Sequence, residues 1–328
     1  MKKCLIIYNE PGPDALPDEL DVLDQVNFIR ATIESIGHHV EQKGITDDIF
    51  REIASIEESK PDYVFNLVES VCKKGEILYF VPALLNMHHI PYTGCPLEAT
   101  FITASKVLAR RIMKANGIPV AGGFKISEAD KLKKGRRYIL KPIWEDGSLG
   151  ITEESVFVFK GVKPEILEGK NDEHWFIEEF IDGREFNISV LGGPDGPEVM
   201  PPAEMVFHNY SDDIPKIVSY KAKWVEGTFQ YENSKRDFPN DISDKLLKRI
   251  KSAALGCWNA FGLKGYARVD MRVDRNEKVY VLEVNANPCI SPDSGFISAG
   301  VHAGYSHAEL VGRIINDLNN QSNGRSIV

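Results

Sequence analysis

The chain has 328 residues, enough for two or three lobes and a sizeable core, and its 43% hydrophobic and 27% charged residues are those of an ordinary water-soluble protein. A net charge of −9 argues against a nucleic-acid partner while leaving room for a local basic cleft. No stretch approaches the length of a membrane span, the N-terminal apolar run is too short for a secretory signal, and Cys4, Cys72, Cys95, Cys257 and Cys289 are scattered without a CxxC pair; the expectation is a cytoplasmic protein with buried thiols, no disulfide frame, no zinc site and no membrane contact.

In chain order, the β-branched run Lys3 to Tyr8 predicts a strand, and the Pro- and Asp-rich residues 9–18 a loop. Val22, Val26, Ile29, Ile33 and Ile36 recur at helical spacing, with Gly37 as the stop. A short strand at His39 to Gln42, a helix over Asp47 to Glu58 and a strand at Tyr63 to Val68 follow. This alternation predicts a parallel α/β lobe over residues 1–100. Its strand-end loops, Asn9-Glu10 and Glu69-Ser70, are either ligand loops or solvated turns. Ile77 to Met87 reads as a helix, Ile90 to Gly94 as a sharp strand-to-loop element, and Lys106 to Asn116 as a helix ending at Gly117.

A second lobe is read over residues 101–184. The strand Arg137 to Pro142 carries Lys141, and a polar glycine loop, residues 144–150, leads to a strand at Val156 to Phe159. Such a flap either binds phosphate through its backbone N–H groups or is a plain hairpin turn. Trp175 to Ile181 is a strand with Glu178 and Glu179 at its centre; one faces solvent, and the other is placed to accept hydrogen bonds from a ribose or an amino group.

The third lobe, residues 185–328, opens with a strand at Glu185 to Leu191. Lys221 and Lys223 either contact phosphate or coat a surface strand. A strongly amphipathic helix spans Asp241 to Gly262. Two strands around the turn at Asp274 to Glu277 then place Asp270 in the first, Glu283 in the second and Asn285 two residues later, on the face of Glu283. Two carboxylates and an amide oxygen are hard ligands that suit Mg²⁺, and the alternative is a hairpin with one solvated polar face. Cys289 to Gly304 reads as a long functional loop, Ser306 to Leu318 as a closing helix, and Asn319 to Val328 as a frayed tail.

Taken together, PYTG at Pro91 to Gly94, Lys106, Lys141-Pro142 with its glycine loop, FIEEFIDGREF at Phe176 to Phe186, AKW at Ala222 to Trp224, and Arg268, Asp270, Glu283, Asn285 and Pro288 resemble, in order and over nearly the whole chain, the D-alanine–D-alanine ligase branch of the ATP-grasp carboxylate–amine ligases. The resemblance implies an ATP-grasp fold of mixed α/β and α+β class and an ADP-forming ligase that works through an acyl phosphate. It implies ATP and a small carboxylate and amine as partners, two Mg²⁺ ions with Mn²⁺ as a substitute, and a homodimer through the first lobe. Lys106, Lys141, Lys223, Gly147 and Ser148 would face phosphate. Glu178, Glu179 and Glu185 would hold ribose and adenine. Asp270, Glu283 and Asn285 would hold metal, and Arg268 would face the acyl-phosphate oxygens.

The sequence departs from the family pattern where the amino acids would sit. The family's tyrosine position is Trp224, and its serine position falls on Gly147 or Ser148, which counts Ser148 with Arg268 and Lys223 among the catalytic candidates. A glycine position is Cys289, Ser294 matches a later serine, and the histidine of the first-lobe loop is missing from Val68 to Glu76. Trp224, Arg268, Cys289 and Ser294 are therefore the substrate-side candidates, and the expected product differs from D-alanyl-D-alanine. The competing expectations are an ATP-grasp kinase or carboxylase, and an ATP-binding accessory protein without turnover.

Overall fold

The computed structural model describes residues 1–145 and 147–323; Asp146 of the glycine loop and residues 324–328 of the tail lie outside them. Residues 1–67 build a parallel sheet. β1 (Lys3–Asn9) leads to α1 (Pro17–Ser35), which starts on proline, and Glu19 accepts the Leu16 N–H at 2.8 Å, against the positive helix end. Val22, Val26, Ile29 and Ile33 form its buried stripe. β2 (His39–Ile45) is longer than its β-branched residues alone foretell. The helix expected over 47–58 is two pieces, α2 (Ile49–Ala54) and α3 (Ile56–Ser59), because the Ser55 hydroxyl bonds back to the Glu52 carbonyl and competes with the helical ladder. β3 (Tyr63–Leu67) completes the order β2-β1-β3, with Lys3 opposite His39 and Cys4 opposite Tyr63.

α4 (Phe80–Met87) starts later than expected, after a 3₁₀ turn at Gly75–Ile77. α5 (Leu97–Ala104) has no clear sequence signal, because Thr100, Ile102 and Thr103 lower its helix propensity; burial of Ala99, Thr100, Thr103 and Ala104 overrides it. α6 (Lys106–Ala115) is capped by the Ser105 hydroxyl, which accepts from Leu108 N–H.

β4 (Gly123–Lys125), β5 (Arg137–Pro142), β6 (Val156–Val158) and β7 (Trp175–Glu179) make an antiparallel sheet in the order β4-β7-β5-β6. Tyr138, Leu140, Phe159 and Ile177 close its own small core. The third sheet comprises β8 (Arg184–Leu191), β9 (Glu198–Val199), β10 (Ala203–Phe207), and beyond α7 (Tyr220–Trp224) and α8 (Phe229–Asn233) the edge strand β11 (Ser234–Asp237). Lys221 and Lys223 thus lie on a helix, not on a surface strand: Ser219 accepts from Ala222 N–H and starts a helical turn.

α9 (Asp244–Phe261) ends at Gly262 in the left-handed conformation and lays Leu246, Ile250, Ala254, Cys257 and Phe261 on the sheet. β12 (Tyr266–Val273) and β13 (Val279–Asn285) are the expected hairpin, giving the order β11-β10-β8-β12-β13 with β9 on β8. The segment read as a long loop contains α10 (Gly295–His302), capped by Ser294, whose hydroxyl accepts from Ile297 N–H. Its apolar Phe296, Ile297 and Ala299 are buried with residues of the first sheet, which a Gly- and Ser-rich composition conceals. α11 (His307–Asn323) carries the chain helically past Asn319, where fraying was expected. Tyr266, Phe296, Leu310 and Ile314, from the later part of the chain, pack in one core with Ile6, Ile29 and Phe65 of the first sheet and its helix. At this seam Gly265 passes Gly94 so closely that a Cβ on it would lie 2.9 Å from the Gly94 Cα. No described helix is long and apolar enough to cross a membrane.

Candidate active site

The hairpin sets the centre of the site. In its antiparallel register Asp270 lies opposite Glu283 and Arg268 opposite Asn285, and a bulge follows Asp270. The next strand, β8, sets Asn187 beside Asp270 and Glu185 beside Arg272. Arg268 grips both Asp270 oxygens at 2.7 Å, and Asn187 and Asn285 donate to the same carboxylate at 2.8 and 3.1 Å. Asp270 is buried, so this full set of donors is what makes its charge tolerable there.

Glu283 faces the opposite wall. Its Oε2 is 3.3 Å from the Lys106 ammonium, which also donates to the Glu145 carbonyl at 2.5 Å. Burial works to raise the Glu283 pKa, but the charges of Lys106, Lys141 and Arg268 outweigh it and lower it to about 2. Burial likewise works against charge on Arg268, and Asp270 and Glu283 more than restore it, raising its pKa.

Lys141, near the end of β5, donates to Glu178 at 2.6 Å, and Arg110 approaches the other Glu178 oxygen at 3.4 Å. Glu178 is only 1% exposed. The inward member of the glutamate pair is therefore committed to a buried ion triad, where removing either cation would strand a charge. Glu179, half-buried, accepts the Gly122 N–H at 3.2 Å. Glu185 receives the Arg272 fork at 2.6 and 3.1 Å.

The glycine loop and α7 close over this floor. Gly147, Ser148 and Gly150 all have positive φ, which brings the loop backbone round sharply. The Ser148 hydroxyl donates to the Val218 carbonyl at 2.7 Å, and Trp224 Nε1 donates to the Gly147 carbonyl at 3.0 Å. Lys223 lies 4.4 Å from the Trp224 ring centre. Tyr220 donates to Asp18 at 2.7 Å, tying the flap to α1. On the remaining wall Cys289 contacts Asp21 and Ser291, each at 3.1 Å. Burial first, then Asp21 and Glu69, push its thiol pKa up to about 12. Ser294 is buried and used as the cap of α10.

Lys106, Lys141, Gly147, Ser148, Glu178, Glu179, Glu185, Lys223, Trp224, Arg268, Asp270, Glu283, Cys289 and Ser294 all line this one cleft, and Asn285 stands behind it on Asp270. The first-lobe loops behave differently. Asn9 accepts from Glu69 and Ser70 N–H groups at 2.8 and 3.2 Å and staples the two loops together, while Glu10 folds over Gly44.

Sequence reasoning missed Asp21, Asn187, Arg236 and Arg272 in the cleft wall. Asp21 and Gln25 stand one helical turn apart beside the apolar stripe of α1, and Gln25 is 2% exposed; that polar interruption was the available signal. Asn187 and Arg272 show only in the cross-strand register. Among the described residues no group of three or more His, Cys, Asp or Glu gathers as a metal site. The hairpin nonetheless offers two carboxylates and an amide on neighbouring rungs, with Arg268 now serving as the cation on Asp270. This hard-oxygen set fits Mg²⁺ in place of that guanidinium.

Comparison with known proteins accords with this geometry. The family model described as D-ala D-ala ligase C-terminus matches residues 126–316, more than half of the chain. A D-alanine–D-alanine ligase of Carboxydothermus hydrogenoformans is 31% identical over 72% of this chain and 75% of its own. An uncharacterised protein, y4sG, of Sinorhizobium fredii is 28% identical over 81% of this chain and 77% of its own. The crystal structure of the D-alanine–D-alanine ligase from Bacillus anthracis superposes with a TM-score of 0.77 at 19% identity, over 99% of this chain and 100% of its own, which speaks for the ATP-grasp fold. The chain belongs to the D-alanine–D-alanine ligase family of ATP-grasp proteins, whose members are ATP-dependent, ADP-forming C–N ligases.

Proposed function

We propose that this protein activates a small carboxylate as its acyl phosphate with ATP and joins it to an amine, releasing ADP and phosphate, on a substrate pair other than two D-alanines. The observation that carries the reading is the facing of Glu283 and Asp270 with Lys106, Lys141 and Arg268 in one cleft. Phosphoryl transfer needs positive charge around the moving group, not a protein nucleophile. Lys106, Lys141 and Lys223 surround the phosphates, and the N–H groups of residues 147–150 cover them. Asp270, Glu283 and Asn285 would hold Mg²⁺, which would supply positive charge to the phosphates. The substrate carboxylate oxygen attacks the γ-phosphorus and the bond to the β-phosphate oxygen breaks. The amine nitrogen then adds to the acyl carbon, Arg268 steadies the tetrahedral oxyanion, and the C–O bond to phosphate breaks as the amine gives up its proton. Glu179 and Glu185 line the ribose end. One sheet per segment supports a division into lobes near residues 100 and 184.

The substrate-side residues support a changed product. Trp224 is hydrogen-bonded to the glycine loop, and Cys289 stands against the Asp21 carboxylate. ADP release measured with ATP and Mg²⁺ across pools of amino acids and small acids tests the reading. Release that needs both an acid and an amine is expected. Release without any amine would point to a kinase, and binding of ATP with no release in any pool would overturn catalysis.

A further inference from the structure

Arg236 stands on β11, at the opposite edge of the third sheet from β13 and its Glu283. It lines the same cleft as Arg268, Cys289 and Ser294. Its Nη1 is spent on the Asp293 carbonyl at 2.8 Å and the Ser298 hydroxyl at 3.0 Å. Those two bonds fix the plane of the guanidinium. They leave the Nε and Nη2 edge, the edge that matches a carboxylate in a two-point grip, without an acceptor among the described residues. That edge lies over Gly295, where a side chain would begin 3.7 Å from both nitrogens, so the absence of a side chain keeps it open.

The other cleft guanidiniums are matched. Arg268 is forked on Asp270 and Arg272 on Glu185. Arg236 has no such carboxylate among the described residues: Asp293 in the same wall offers it a carbonyl, and its carboxylate accepts from Ser291 at 3.1 Å. The residue is exposed as a whole, but partial desolvation of its head in the cleft and then the like charge of Arg268 push its pKa below the ordinary value. A positioned guanidinium repelled by its neighbour gains from an anion that arrives with the ligand. The phosphates are already provided for by the lysines on the far wall, which leaves the acceptor substrate.

We propose that Arg236 binds an acidic side group on the amine-bearing substrate, so that the enzyme selects an acidic amino acid, or one bearing a phosphate, over a neutral one. The inference rests on the ligase reading above. Two charge-assisted hydrogen bonds correspond to roughly 10- to 100-fold in affinity.

The test compares glutamate, aspartate and O-phosphoserine of both hands with glutamine, alanine and glycine as amine donors, following ADP release under saturating ATP and a mixed pool of carboxylates. Acidic donors are expected to have the higher kcat/KM. Arg236→Gln is expected to raise KM for the acidic donor on the order of 30-fold while leaving KM for ATP in place. Arg236→Lys, which keeps the charge and loses the fork, should recover part of that loss, and unchanged thermal unfolding of both variants would show that the fold persists. The ranking of carboxylate over phosphate donors identifies the group that Arg236 holds. Neutral donors served as well as acidic ones would overturn the inference and leave the ligase reading standing. A loss in Arg236→Gln confined to kcat, or shared with KM for ATP, would also overturn it. No amine-dependent turnover with any donor would remove both.

Discussion

Glu283 is the carboxylate whose removal should separate chemistry from folding. It faces Lys106 across the cleft, and it is not built into the core as Glu178 is. Glu283→Gln keeps the shape and removes the charge. The expected outcome is a fall in ATP cleavage of at least about a hundredfold, the scale on which a lost electrostatic stabiliser acts, with near-wild-type unfolding temperature. Turnover within a few-fold of wild type would sink the metal assignment. Cys289 makes the opposite point. A thiol raised to about 12 is protonated at neutral pH, with roughly one in ten thousand ionised at pH 8. The sign is that of a group whose neutral form is favoured by folding, so its contribution holds below the ordinary thiol range and is lost as pH climbs through it. Iodoacetamide at pH 8 should therefore label exposed Cys72 and spare Cys289. Rapid alkylation of Cys289 at this pH would contradict the raised pKa and show a reactive thiolate.

The glycine loop and α7 act as one element. Ser148 to Val218, Trp224 to Gly147 and Ser219 to Glu153 join them, and Tyr220 to Asp18 fastens them to α1. Such a strap has little apolar burial of its own, so its closure rests on a few polar bonds. Trp224→Phe keeps the ring and deletes one of them. A loss of about 1 kcal/mol would open the strap roughly five times more often. Limited proteolysis within residues 147–228 without nucleotide should quicken by a similar factor, and added ATP analogue should slow it again. Equal rates in the variant and the wild-type protein, with and without nucleotide, would show that the segment is held by something else.

At the scale of the molecule, much of the architecture was legible. The alternating strand–helix pattern of residues 3–67 and the hairpin at 266–285 came from periodicity alone, because period-2 and period-3.6 burial leave marks in the order of residues. α5 and α10 did not, since β-branched and small residues speak against helix locally while packing against distant segments decides the outcome. The same division holds in the cleft. Asp270, Glu283 and Asn285 were legible because strand alternation puts them on one hairpin, and Lys141 and Lys106 because their stretches resemble those of the family. Arg236, Asn187 and Arg272 were not, because their meaning arises from hydrogen-bond partners 56 or more residues away in the chain, on strands whose pairing no local pattern announces.

The claim that unites these scales is that a substrate carboxylate is phosphorylated in this cleft before an amine displaces the phosphate. Carboxylate oxygen labelled with ¹⁸O, in the acid–amine pair found by ADP release, tests it most directly. One labelled oxygen should appear in the released phosphate per turnover, read by mass or by the isotope shift in phosphorus resonance. Phosphate drawn from ATP that carries no label from the carboxylate would contradict the acyl-phosphate route.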